Sequence, residues 1–107
     1  MKKGMAKVSV MYANGEGKTF DGDYYVNKHL PLVSSLLGDA LKGATAEKGL
    51  GSAAPGSPAP YLGIGTMYFD SVRDFGEAFG PNAEKIMADL PNFTNIEPTV
   101  QISEIVI

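Results

Sequence analysis

Acid–base chemistry near neutrality needs a side chain that exchanges protons there, and the only histidine of this chain is His29. An unperturbed imidazole titrates near pH ~6.5, so it can take or give a proton under ordinary conditions. Tyr25 stands four residues earlier, one helical turn away on the same face, where its hydroxyl can reach a substrate oxygen. General acid/base for His29 and hydrogen-bond donor for Tyr25 are the catalytic roles these types and this spacing suggest. Other catalytic motifs are absent: no P-loop, no dinucleotide fingerprint, no HExxH and no G-x-S-x-G. Gly63-x-Gly65 lacks the rest of any phosphate loop. One histidine and no cysteine leave no ligand set for structural zinc and no thiolate nucleophile, so no metal is expected. Plainer readings stand beside these. A lone histidine on an apolar face also serves as a packed core residue. Tyr25 also serves as a staple with its hydroxyl at the surface, and Asp21 and Asp23 as capping or dipole-stabilising carboxylates.

The element that carries this pair runs from Phe20 to Gly38. Asp21 is a good N-cap, Phe20 and Tyr25 have the spacing of a hydrophobic staple, and Gly38 supplies the left-handed C-terminal position. At 100° per residue, Tyr25, His29, Leu32, Val33 and Leu36 share a stripe, with Val26 and Leu37 on its flank. Pro31 lies inside this helix, where a missing N–H and a steric clash cost about 3 kcal/mol. Either the proline ends the helix near Leu30 or it kinks the helix beside a buried titratable group. Such local conflicts often mark sites.

The other elements follow in chain order. Ala6 to Tyr12 alternates as a strand, with Val8, Val10 and Tyr12 on one face and Lys7, Ser9 and Met11 on the other. A second strand, rich in small residues, is expected from about Leu41 to Lys48. Gly49 to Pro60 has neither helical nor strand period and reads as a mobile loop. Tyr61 to Phe69 is a strand with Leu62, Ile64, Thr66 and Tyr68 on one side. Its opposite side carries Tyr61, Gly63, Gly65, Met67 and Phe69, and the two glycines clear space for a close neighbour. Asp70 or Ser71 caps a second helix, interrupted at Gly80-Pro81, where the proline can restart it. Thr99 to Ile107 is the final strand.

This β-α-β-β-α-β order predicts an α+β, ferredoxin-like sandwich: a four-stranded antiparallel sheet with both helices on one face. Such a sheet should have one wet face. Here Ile105 and Ile107 oppose Val100, Ile102 and Val106, while Met67 and Phe69 oppose Ile64 and Tyr68. Each large side chain gains about 1.5–3 kcal/mol on burial, so the second face is expected to pack on another subunit.

The 107 residues make one domain, 1–107, with 1–5 as a flexible N-terminus and 49–60 as a loop. No apolar run approaches the roughly 20 residues of a membrane span, and no apolar stretch follows the basic Met1–Gly4, so neither a membrane nor export is expected. A formal charge of −3 without any Lys/Arg cluster argues against nucleic acid. The absence of cysteine fits the reducing cytoplasm.

Two stretches carry a family resemblance. Phe20-Asp21-x-Asp23-Tyr24-Tyr25-x-x-x-His29-x-Pro31 resembles a signature of the EthD family. Asp89-x-Pro91-Asn92-Phe93-Thr94 with Pro98 resembles its C-terminal signature. The likeness spans nearly the whole chain and implies a dimeric α+β barrel, two ferredoxin-like sheets packed face to face. EthD is named for a protein associated with bacterial ether degradation. Related dimeric barrels include cofactor-free monooxygenases, muconolactone isomerases, polyketide cyclases and haem-dependent enzymes, and fold analogy does not choose among them. The expected protein is a cytoplasmic homodimer acting on a hydrophobic, oxygenated or aromatic metabolite. It would be a cofactor-free oxidoreductase or an isomerase/cyclase of a catabolic pathway. Substrate would lie between helices and sheet against Val10, Tyr12, Ile64 and Phe79, with His29 and Tyr25 at the chemistry. Two alternatives remain: a non-catalytic accessory protein that holds the ligand, and a haem protein with His29 as axial ligand.

Overall fold

Strand β1 occupies Ala6–Ala13, and its alternation sends Ala6, Val8 and Tyr12 into the interior. The computed structural model describes residues 1–107. Strands β2 (Gly43–Lys48), β3 (Tyr61–Phe69) and β4 (Thr99–Glu104) complete a sheet in the order β2-β3-β1-β4. Every neighbouring pair is antiparallel. Two helical arms join the strands in β-α-β-β-α-β order, and the fold is the expected α+β sandwich. The first arm is α1 (Gly22–Tyr24), a π-helical turn (Tyr25–His29) and α2 (Leu30–Leu37). The second is α3 (Val72–Phe79), a 3-10 turn (Gly80–Asn82) and α4 (Ala83–Ala88). No helix is long and apolar enough to cross a membrane.

Local chemistry explains both arms. Asp21 Oδ1 accepts the Tyr24 N–H at 3.1 Å, and Phe20 stacks near Tyr25 with ring centroids 5.1 Å apart, so cap and staple both form. Ser71, rather than Asp70, caps α3 through the Asp74 N–H at 3.0 Å. Pro31 neither ends nor sharply breaks the first arm. The turn before it widens instead: Leu30 donates to the Tyr25 carbonyl, five residues back, and the helix resumes through the proline. In an α-helix, successive four-residue steps drift by about 40°. The wide turn delays that drift, so the buried positions are Tyr25, His29, Val33 and Leu37 in a straight row. Leu37 is therefore central rather than flanking, and Val26 is 53% exposed. Gly38 has the positive φ expected of it (60°), but its ψ of −140° lies outside the left-handed helical well.

Strand register decides the two faces of the sheet. Ala6, Val8, Val10 and Tyr12 stand opposite Phe69, Met67, Gly65 and Gly63 on one side, and Ala6, Val8 and Val10 stand opposite Glu104, Ile102 and Val100 on the other. These residues share the helix-covered face. Ala6, Val8 and Phe69 pack there with Val33, Leu37 and Ile86 as the core. Each fully buried large side chain contributes about 1.5–3 kcal/mol. Ile64 pairs with Met11 and Glu47, so it belongs to the uncovered face with Ser9, Thr66 and Tyr68. Ile105 continues that face beyond Ser103, pairing through its N–H with the Met5 carbonyl. Met67 and Phe69 thus lie on the opposite side of the sheet from Ile105.

The glycines of β3 have definite neighbours. A Cβ at Gly63 would come within 2.8 Å of the Phe20 ring, and one at Gly65 would collide with the Tyr25 hydroxyl. The cleared space is filled by the first helical arm itself.

Candidate functional site

Two stretches distant in the chain, with a contact between residues 75 positions apart, close on each other to build the site. The Asp21 N–H donates to the Phe93 carbonyl at 2.7 Å, and Phe20 bridges to Thr94 as an isolated antiparallel pair. The Thr94 hydroxyl donates to the Thr19 carbonyl at 2.6 Å. This clasp seats Phe93 beneath the first arm, where its ring centroid lies 4.6 Å from the His29 imidazole. Tyr12, Phe20, Tyr24, Tyr25 and Phe93 form one aromatic cluster around it.

His29 is 4% exposed, and its Nδ1 lies 2.8 Å from Asp89 Oδ2. The other carboxylate oxygen, Oδ1, accepts from the Tyr24 hydroxyl at 2.7 Å and from the Asn92 amide at 2.9 Å. Burial works to raise the Asp89 carboxyl, but the Asn92, Tyr24 and His29 hydrogen bonds outweigh it and hold the group below its ordinary 3.8. The same carboxylate, by accepting its hydrogen bond, pushes the Tyr24 phenol up.

A carboxylate lowered on folding stabilises the native state above its unfolded pKa. That contribution disappears as pH falls through the lower folded value. The stability gap between wild type and Asp89→Asn should therefore be full at neutral pH and close as pH falls below about 4. A gap in denaturation midpoint that stayed constant from neutral to strongly acid pH would count against this network.

Nε2, the other ring nitrogen, makes no hydrogen bond within the protein, and no buried polar side-chain atom is left unpartnered and sealed from solvent. It therefore opens onto the cavity that His29 lines. This cavity, about 490 Å³, lies between the helical arms and the sheet. Val8, Val10, Val33, Met67, Phe75 and Phe79 form much of its wall, and its polar groups include His29, Tyr25 and Tyr12. Met87 and Val100, 46% and 53% exposed, lie where it meets solvent.

Burial pushes the Tyr25 phenol up to about 12, helped by the Glu47 carboxylate and opposed by Tyr12. Burial raises Tyr12 as well, and the neighbouring Tyr25 raises it further. Both hydroxyl-bearing rings line the cavity, where the Tyr25 hydroxyl can meet a ligand oxygen.

Of the residues expected from sequence, His29, Tyr25, Val10, Tyr12 and Phe79 all line this one cavity. Ile64 does not. Its register partner Met11 places it on the uncovered face, because β3 turns its glycines toward the helices. Sequence reasoning also left Asp89, Tyr24 and Asn92 without a site role. Tyr24 stands in the first signature stretch and Asp89 and Asn92 in the second, and only the fold brings the two together.

No three His, Cys, Asp or Glu side chains gather as a metal site. Nε2 could reach a haem iron, but the wall supplies no Lys or Arg for the propionates. The lining suits a neutral guest better.

The EthD domain model matches residues 14–97, a span that includes both halves of the clasp. The chain belongs to the EthD family. An EthD-like protein from Ralstonia eutropha JMP134 is 40% identical and superimposes with a TM-score of 0.92, covering 99% of this chain and 96% of that one. An ethyl tert-butyl ether D (EthD) family protein from Bacillus halodurans C-125 shares the fold at 22% identity and a TM-score of 0.66, covering 94% and 97% of the two chains. The uncharacterized 11.0 kDa protein of the thcB-thcC intergenic region in Rhodococcus erythropolis is 27% identical over 92 residues, 85% of each chain. In this EthD chain, the matched span thus contains His29, Tyr25 and the Asp89 clamp.

Proposed function

We propose that this EthD protein is a small cofactor-free enzyme whose cavity takes an uncharged hydrophobic or aromatic metabolite bearing an oxygen function. His29 acts as general acid/base and Tyr25 donates a hydrogen bond to that oxygen. The observation that supports this most is a single imidazole nitrogen, free of protein partners, facing a largely apolar chamber of about 490 Å³. Such chambers bind ligands by apolar contact and orient them through a few convergent polar groups. The chemistry available is proton relocation or ring closure, as in an isomerase or cyclase, or cofactor-free oxygenation. A cysteine-free domain of this kind suits the cytoplasm.

The test is a panel of neutral ketones and phenols read by thermal shift and by the NMR signals of the one imidazole. Members of the panel should raise Tm and move those signals. A panel that does neither at millimolar concentration removes the ligand site. Ligands that bind wild type and His29→Gln alike, with no product from either, would assign the accessory, ligand-holding role instead.

The working unit is a homodimer formed through the uncovered face. Met11, Ile64, Tyr68 and Ile105 are all half-buried there even in the single chain. Covering them with a second sheet would complete the barrel. Light scattering at micromolar concentration should give twice the 11.3 kDa chain mass. A single-chain mass would reject this assembly.

A further inference from the structure

The two oxygens of Asp89 are used differently. Oδ1 is taken by two neutral donors, the Tyr24 hydroxyl and the Asn92 amide, while Oδ2 meets only the imidazole. No lysine or arginine is paired with this carboxylate, so its charge is turned on His29. An ionised carboxylate accepts only. Nδ1, 2.8 Å away, must therefore carry the hydrogen, since two acceptors at that distance repel. Free histidine prefers its hydrogen on Nε2. The clamp reverses that preference and leaves a lone pair on the nitrogen that faces the cavity.

We propose that Asp89, held by Tyr24 and Asn92, is a positioning residue that locks His29 in the Nδ1–H tautomer, so that proton transfer begins with His29 as a base. The inference rests on the cavity being a site of proton chemistry and narrows its substrate class to neutral carbonyl compounds with an acidic C–H. The Nε2 lone pair forms an N–H bond as the C–H bond breaks. The released electron pair moves onto the carbonyl oxygen, where the Tyr25 O–H stabilises the enolate. The imidazolium then faces the Asp89 carboxylate, which offsets its charge. The same proton returns to the original carbon or to another, so no oxidant or reductant is consumed. An acid-first mechanism would need the opposite tautomer or a protonated ring. The same carboxylate disfavours anionic substrates.

Because the chain has one histidine, ring-15N labelling reports on this group alone. In wild type at alkaline pH, Nδ1 should show the protonated shift and Nε2 the lone-pair shift. Asp89→Asn, whose amide can donate to Nδ1, should reverse them. The catalytic readout is deuterium uptake from D2O by 2-tetralone, a neutral ketone with acidic C–H bonds. Asp89→Asn should slow it about 10²–10⁴-fold, because the reversed tautomer leaves no lone pair on Nε2 to act as base. Asp89→Glu, which restores a carboxylate, should recover part of the rate. Wild-type spectra decide the tautomer even where Asp89→Asn does not fold. A wild-type ring protonated at Nε2, in a protein whose signals still respond to 2-tetralone, overturns the inference and spares the cavity as a ligand site. A correct tautomer with exchange no faster than in His29→Gln overturns the base-first step, and the ketone and phenol panel judges the cavity separately.

Discussion

His29→Gln should leave the fold and its assembly intact while lowering turnover about 10²–10⁴-fold, the range that a positioned general base supplies. Glutamine is polar and of similar reach, and its amide N–H can donate to Asp89 Oδ2 in place of Nδ1–H. What it cannot do is bind a proton near neutral pH. Some packing against Phe93 and Tyr25 is lost, since the imidazole is tilted against the first and stacked on the second, with centroids 4.6 and 5.7 Å away. A stability loss of about 1–3 kcal/mol is the expected scale, smaller than that of an unpaired buried charge. His29→Leu is the informative contrast. It fills space but strips Asp89 of one of its three donors, so it should be less stable than the glutamine variant despite being more apolar. If His29→Gln unfolds the protein, or leaves a demonstrated activity untouched, the histidine is a packed core residue. The enzymatic reading then loses its base.

The first half of this site was legible because helix periodicity is local. Tyr25 and His29 share a face at any plausible helix geometry, and the cap at Asp21 and staple at Phe20 announce where that helix begins. The β-α-β-β-α-β order and the inward side of β1 were equally readable, since period-two alternation is explicit from Lys7 to Tyr12. Three things were not. The π turn was hidden because a proline in a helix permits an end, a kink or a widened turn, and tertiary packing chooses among them. Ile64 was placed at the cavity because β3 is apolar on both sides, so periodicity alone does not orient it. Asp89 was hidden by distance along the chain: its partners Tyr24 and His29 are 65 and 60 residues away. A carboxylate two residues before a proline reads locally as a helix end, and only the clasp between Phe20 and Thr94 brings it to the imidazole.

Gly65→Ala should destabilise the protein by about 1–3 kcal/mol, and Tyr25→Phe should relieve most of that loss. Gly65 is not among the glycines with positive φ, so its backbone makes no demand that alanine fails to meet. In a strand, alanine would by itself gain from reduced freedom in the unfolded chain. The only obstacle is the Tyr25 hydroxyl, which occupies the place of the missing Cβ. Tyr25 cannot swing away cheaply, because Tyr12, Phe20, His29 and Phe93 pack around its ring. Removing the hydroxyl leaves the new Cβ 3.3 Å from the ring carbon Cζ, a tight contact that small adjustments absorb. Tyr25→Phe has a cost of its own, since it removes a polar group beside the buried Tyr12 ring. The two losses should nevertheless fall short of additivity by about 1 kcal/mol or more, whereas distant, independent sites add to within about 0.3–0.5 kcal/mol. Denaturant unfolding of wild type, both single variants and the double variant measures the difference. Additive losses would mean that something other than the hydroxyl excludes a side chain at 65. A coupled pair would show that β3 keeps a glycine there to seat Tyr25 against the sheet.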